Sequence, residues 1–236
     1  MSDRASPRIV PLATSQVRYV VPDGAREVVV TFEGADQTIA RHDRNRPGFG
    51  ERFLLENNYA TVSVLTNSAH WFRDRDVQDY LRGPQLRCFL ADFDRVHTYG
   101  SSMGGFAAIV FAEVLGASNV VAMQPVSSLR TDLVPWEERF VNGRKLDWSG
   151  AFADAAEVVG KCPSVWALYD PDNVDARHAE RLAAAAPQMK LIHVKGAVHA
   201  VPRHLHKAGM LQQVVRACLK QVLADDVRGI LKDAGL

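Results

Sequence analysis

The chain has 236 residues, with 28 Lys and Arg against 27 Asp and Glu for a formal net charge of +1. That length suffices for a full hydrophobic core in one domain spanning 1–236, and near-neutrality leaves no global field to select nucleic acid, an anionic membrane or an acidic partner. Three scattered cysteines, Cys88, Cys162 and Cys218, lack CxxC spacing; they argue against a disulfide framework or a zinc site and read as buried apolar side chains in a reducing compartment.

The first residues, MSDRASPRIVPLATSQ, carry no apolar run of signal-peptide length, and no later stretch reaches the roughly 18 apolar residues of a membrane span. The expectation is a cytoplasmic protein without a membrane partner. VRYVV (17–21) and EVVVTF (27–32) are β-rich and are joined by Pro22, Asp23 and Gly24, turn residues that predict a hairpin. The arginine-rich RHDRNRPGFGER (41–52), which includes His42, has acids interspersed and reads as a solvated loop, not a nucleic-acid patch.

ATVSVLT (60–66), RVHTY (95–99), NVVAMQ (119–124), SVWALY (164–169) and KLIHV (190–194) are short apolar runs without clean alternation, as expected for strands covered on both faces. Helical periodicity falls at 77–81, 104–116, 174–186 and from about 206 to 234. Alternating strands and helices predict an α/β fold, a mostly parallel central sheet with helices on both faces and an antiparallel start. Residues 126–160, with Trp136, Phe140, Trp148 and Phe152, form a connection long enough to be a cap or lid over a site.

Between the fourth of these strands and the helix that follows lies GSSMGG (100–105), in which Gly100, Ser102 and Gly104 fit G-x-S-x-G. This pattern strains a central serine at a strand end so that its hydroxyl projects from the sheet, with glycines where strand and helix approach too closely for a Cβ. Ser102 is therefore the candidate nucleophile, and the N–H of Met103, at the start of the helix, is a candidate oxyanion donor.

A serine hydroxyl needs an imidazole base, and the imidazole needs a carboxylate. His199 follows the strand KLIHV by a loop short enough to reach the same sheet edge and is the predicted base. His70, just past ATVSVLT and beside Trp71, reads as a substrate-pocket residue, as does Trp136 in the long connection. For the acid, YDPDNVD supplies Asp170, Asp172 and Asp175 after the preceding strand. Asp175 stands where it would cap the next helix, which leaves Asp172, projecting from the loop, as first choice and Asp170 as the alternative. A calcium loop is ruled out by Val174, Asp175 and Arg181 at positions that need other residue types. No metal site is expected.

Strand, Gly100-Ser101-Ser102-Met103-Gly104, helix, a later aspartate and a last histidine: in this order the chain resembles the α/β-hydrolase superfamily from about residue 17 to its last helix. The resemblance implies a serine esterase or thioesterase with a small cap, acting through an acyl-serine without cofactor. It supports Asp172, although Tyr169 stands where many members have glycine, and it implies a second oxyanion donor at Gly34 or Ala35 after EVVVTF. GSSMGG and YDP are also similar to hydrolase-like proteins associated with bacterial surface polysaccharides. The expected partner is a small-molecule or glycan-linked acyl substrate. An acyltransferase with the same triad, or a non-catalytic hydrolase-like binder, are the alternatives; oligomeric state is not fixed by the sequence.

Overall fold

Val28, Val30 and Phe32 belong to one buried cluster and Val29 to another, the two-residue period of a strand dividing its side chains between opposite faces. A computed structural model, describing residues 6–36 and 43–235, shows the same division across a sheet of eight strands. They are β1 (Arg8–Pro11), β2 (Ser15–Val20), β3 (Glu27–Phe32), β4 (Ala60–Thr66), β5 (Arg95–Ser101), β6 (Asn119–Met123), β7 (Val165–Tyr169) and β8 (Lys190–His193). Along β7, for example, Val165, Ala167 and Tyr169 face one cluster while Trp166 and Leu168 face the other. Burial on both sides explains why these runs are apolar throughout.

The spatial order is β1-β2-β4-β3-β5-β6-β7-β8. β1, β2 and β4 pair antiparallel, and every later pairing is parallel. The expected hairpin of β2 with β3 does not form, because β4 lies between them: Tyr19 pairs with Val62, and Val30 pairs with the same Val62 from the other side. The Pro-Asp-Gly turn carries the chain across that gap. β1, unanticipated in the sequence, is a short edge strand ending in proline, a residue tolerated there because an edge leaves one row of N–H groups unpaired.

The first cluster is covered by α2 (Arg75–Arg82), α3 (Pro84–Leu90), α4 (Met103–Val110) and α6 (Asp175–Ala185), the second by α1 (Glu51–Glu56), α7 (Val201–Lys207), α8 (Leu211–Leu219) and α9 (Ala224–Asp233). The expected final helical region is thus three helices broken by turns. α5 (Val141–Arg144) lies in the 126–160 connection with two single 3₁₀ turns. No helix among the described residues is long and apolar enough to cross a membrane.

Two expectations are corrected by burial. Cys88 is exposed, unlike Cys162 and Cys218. The arginine-rich stretch is a solvated loop only in part: Asp43, Arg44, Asn45, Pro47 and Arg52 are exposed. Arg46 is buried, bonds Glu33 through Nε at 2.9 Å and Nη2 at 3.0 Å, and donates to the Thr66 carbonyl; Glu51 is paired with Arg18 at 3.0 Å. Buried charge is tolerated when paired and hydrogen-bonded. Residues 41 and 42, His42 among them, lie outside the described residues.

Candidate active site

β5 and α4 meet at Ser102, whose backbone stands at φ 56°, ψ −113°, a region side chains other than glycine rarely enter. The flanking sequence makes this possible. A Cβ on Gly100 would overlap the Gly104 carbonyl, and one on Gly104 would overlap the carbonyl of Phe32 on neighbouring β3. Backbone packs against backbone at both places, so the sharp turn requires glycine. The Ser102 N–H donates to Met123 O on β6 at 2.9 Å, fixing the turn to the sheet.

Ser102 Oγ lies 2.8 Å from His199 Nε2. The imidazole sits on the loop after β8, and that loop is held from two sides. Asp170, at the end of β7, accepts the Val198 N–H at 2.7 Å. Gln124, just past β6, donates to His199 O at 3.2 Å and Ser101 Oγ at 3.1 Å, and accepts from Val201 N at 3.0 Å. One side chain therefore ties the His199 loop to the strand end that carries the serine, and Ser101 is engaged there, not at the imidazole.

The carboxylate on the far side of the ring belongs to Asp175, whose two oxygens lie 2.9 and 2.8 Å from Nδ1. It is neither Asp172 nor Asp170. Asp172 is exposed, and its backbone N–H donates to Asp170 Oδ1 at 3.1 Å. Asp170 is occupied by that bond and by Val198. Asp175, read from the sequence as a helix cap, is instead the first residue of α6; Val174 precedes it, and Asn173 Oδ1 accepts the Asp175 N–H at 3.2 Å. Asn173 takes the capping role, which frees the Asp175 side chain to turn back toward the sheet edge.

Asp175 is fully buried, and its Oδ1 also accepts from Arg139 Nη2 at 2.8 Å. Arg139 comes from the long connection and grips Glu137 with Nε at 3.0 and 3.1 Å and Nη2 at 2.6 Å. Glu137 in turn lies 2.9 Å from His178 Nε2, and His178 Nδ1 accepts the Ser127 N–H at 3.1 Å. Since Nδ1 accepts a backbone N–H, Nε2 carries the proton of this neutral ring. Burial pushes the His178 imidazole below its usual range, outweighing the bond to Glu137. Burial works to raise the Glu137 carboxyl, but hydrogen bonds from His178 and Arg139 prevail and hold it well below the carboxylate range. For Arg139, burial opposes the charge and the bonds to Glu137 and Asp175 more than restore it.

The loop after β3 also reaches the turn: a Cβ on Gly34 would stand 3.2 Å from Ser101 O. Gly34 and Ala35 thus run beside the elbow, and Met103 opens α4, where first-turn N–H groups have no partner within the helix. The residues assigned to a substrate pocket are placed otherwise. His70 is buried, with Nε2 3.0 Å from Ser15 Oγ and Nδ1 accepting from Phe72 N at 3.0 Å, and so shapes the turn after β4. Trp71 is 1% exposed, packed edge-on against Phe106, Phe140 and Trp148. Trp136 covers His178 at 4.5 Å and lies under the Arg177 guanidinium at 4.4 Å. The aromatic beside the imidazole is Phe140, its ring 5.6 Å from His199.

No protein-family model matches the sequence, and no curated protein does. Solved structures do match. A hyperthermophilic esterase from the archaeon Pyrobaculum calidifontis superposes with a TM-score of 0.63 at 15% identity, covering 98% of this chain and 87% of its own. An S-formylglutathione hydrolase from Agrobacterium tumefaciens gives 0.57 at 13%, with 89% and 92% covered. The capsule O-acetyltransferase of Neisseria meningitidis serogroup A, in complex with CoA, gives 0.59 at 14%, with 88% and 95% covered. The chain has the α/β-hydrolase fold. Within this α/β-hydrolase sheet Ser102 follows β5, Asp175 follows β7 and His199 follows β8, so all three stand at the carboxyl edge of parallel strands, where open α/β sheets hold their sites.

Proposed function

We propose that the chain is a serine hydrolase acting on an ester or thioester through an acyl-serine intermediate, with Ser102 as nucleophile, His199 as base and Asp175 as acid. The observation that carries this reading is the unbroken chain of contacts from Ser102 Oγ to His199 Nε2 at 2.8 Å and from Nδ1 to Asp175 at 2.8 Å. Asp175 accepts from Nδ1–H, so Nε2 is left unprotonated and aimed at the hydroxyl. Oγ attacks the acyl carbonyl as Nε2 takes its proton. The same nitrogen then protonates the leaving group, and a water activated by His199 releases the acyl group.

The developing oxyanion is stabilised by the Met103 N–H and by Gly34 or Ala35; each such donor contributes about 2.7–4 kcal/mol to lowering the barrier. The rim beside His199 carries apolar surface on the side of the 126–160 connection. Phe140 stands against the ring, and Val141 and Val198, their chain neighbours at the site, are 57% and 58% exposed. This favours an acyl or leaving group with apolar surface. The connection 126–160 serves as a cap on a single domain.

Turnover of short p-nitrophenyl esters, with a fluorophosphonate adduct located at Ser102, tests the reading. Ser102→Ala should lose both. Equal esterase rates for the two proteins, or no adduct on folded wild type, would refute it, the latter favouring a non-catalytic binder. The similarity to a capsule O-acetyltransferase supports a second reading, acyl transfer to a sugar hydroxyl; added acceptor alcohol would then divert the acyl group faster than water does.

A further inference from the structure

A carboxylate with no exposure to water is stable only if something balances its charge. For Asp175 that partner cannot be His199 alone, because a general base must be neutral before the reaction. Among the described residues the Asp175 carboxylate has two partners, His199 and Arg139. The guanidinium therefore supplies the positive charge, and it does so from outside the catalytic loops. It is itself fixed by the buried Glu137, which His178 holds in place, and His178 is in turn held by Ser127 and Trp136.

We propose that Arg139 is a positioning residue: carried by the 126–160 connection, it fixes the Asp175 carboxylate against the His199 imidazole. The inference rests on the triad reading above. Asp175 Oδ1 is shared by Arg139 Nη2 at 2.8 Å and His199 Nδ1 at 2.9 Å, so the guanidinium and the ring hold the carboxylate from two sides. Removing the guanidinium leaves a buried carboxylate without its counter-charge and free to turn away from Nδ1.

The test is the low-field proton NMR resonance of the His199 Nδ1–H, the hydrogen that Asp175 accepts, in wild type, Arg139→Lys and Arg139→Gln, beside kcat and KM for p-nitrophenyl acetate. Arg139→Gln should broaden or lose that resonance and lower kcat about tenfold with KM unchanged, whereas Arg139→Lys should keep the resonance and stay within about threefold. Should Arg139→Gln not fold, the double variant Glu137→Gln/Arg139→Gln leaves no unpaired charge at 137 and should lose the resonance likewise. A glutamine variant that keeps the wild-type resonance, or a lysine variant that loses it as fully as the glutamine, overturns the inference. The resonance needs no turnover: a wild type that neither hydrolyses esters nor labels at Ser102, yet shows the expected pattern, would sink the hydrolase reading and leave the Arg139 inference standing.

Discussion

Replacing Asp175 by asparagine should cost far more than the same change at either neighbouring aspartate, and the reason lies in which atoms can donate. Arg139 only donates, so it will hold the asparagine carbonyl oxygen at the Oδ1 position, 2.8 Å from Nη2. The amide NH₂ is then forced into the Oδ2 position, 2.8 Å from His199 Nδ1 and the nearer of the two, while Oδ1, 2.9 Å from the ring, is already taken by Arg139. There it donates, so Nδ1 must accept and the ring proton moves to Nε2, facing Ser102 Oγ at 2.8 Å. The base can no longer take the serine proton. A wrong-tautomer substitution of this type lowers kcat by about 10⁴-fold, or about 5 kcal/mol of barrier. Asp172→Asn, at an exposed side chain, should stay within about twofold of wild type. Asp170→Asn weakens one charge-assisted bond to Val198 N–H and should cost about tenfold. Steady-state ester kinetics on the three variants, with circular dichroism to confirm folding, decide the matter. An Asp175→Asn enzyme keeping more than a tenth of its activity, or falling less than Asp172→Asn, would refute this reasoning.

Gly104→Ala places a Cβ inside the Phe32 carbonyl, and because both are backbone the strain has no soft outlet; the urea midpoint should report a loss of about 3 kcal/mol or more. Arg73 donates to the carbonyls of Asp147, Ser149, Ala151 and Phe152 and lies 5.2 Å from the Trp148 ring. Arg73→Met should cost about 2 kcal/mol locally and speed amide exchange in 147–152 about 30-fold, while unchanged exchange would show that the segment is held otherwise. His97 is buried in β5, and burial lowers its proton affinity more than the bond to Glu27 raises it. A depressed histidine contributes stability that is fully present above the unfolded value near pH 6.5 and lost as the pH falls through the folded one. His97→Phe should therefore unfold at a urea midpoint that varies less than wild type between pH 7 and 5, and a parallel decline would contradict this.

The parts of the site legible in the sequence are those fixed by local sterics. Gly100 and Gly104 are needed where two backbones touch, so the elbow announces itself in five residues, and His199 follows because a short loop after a strand has few places to go. The contact of Asp175 with the His199 ring was obscured by a rule that holds elsewhere: an aspartate at a helix start usually caps it, and here Asn173, two residues earlier, takes the Asp175 N–H. Arg139 left no trace, since its link to Asp175 spans 36 residues of chain and depends on how the connection folds back. Likewise the β2–β3 turn has hairpin chemistry, but pairing was decided by β4, which offers both of them a partner. Arg46 reads as solvated because nothing in its own stretch reveals Glu33 waiting at the end of β3.

Long connections such as 126–160 are attractive modules to exchange between related scaffolds when a new specificity is sought. In this protein the exchange would carry a hidden passenger. A chimaera that keeps the sheet, the serine and the histidine but receives a foreign segment at 126–160 would strand Asp175 in the dry interior with its counter-charge deleted. Libraries built here should hold Glu137 and Arg139 constant and vary the rim around Phe140 and Val141, where shape can change without disturbing the charge arithmetic beneath.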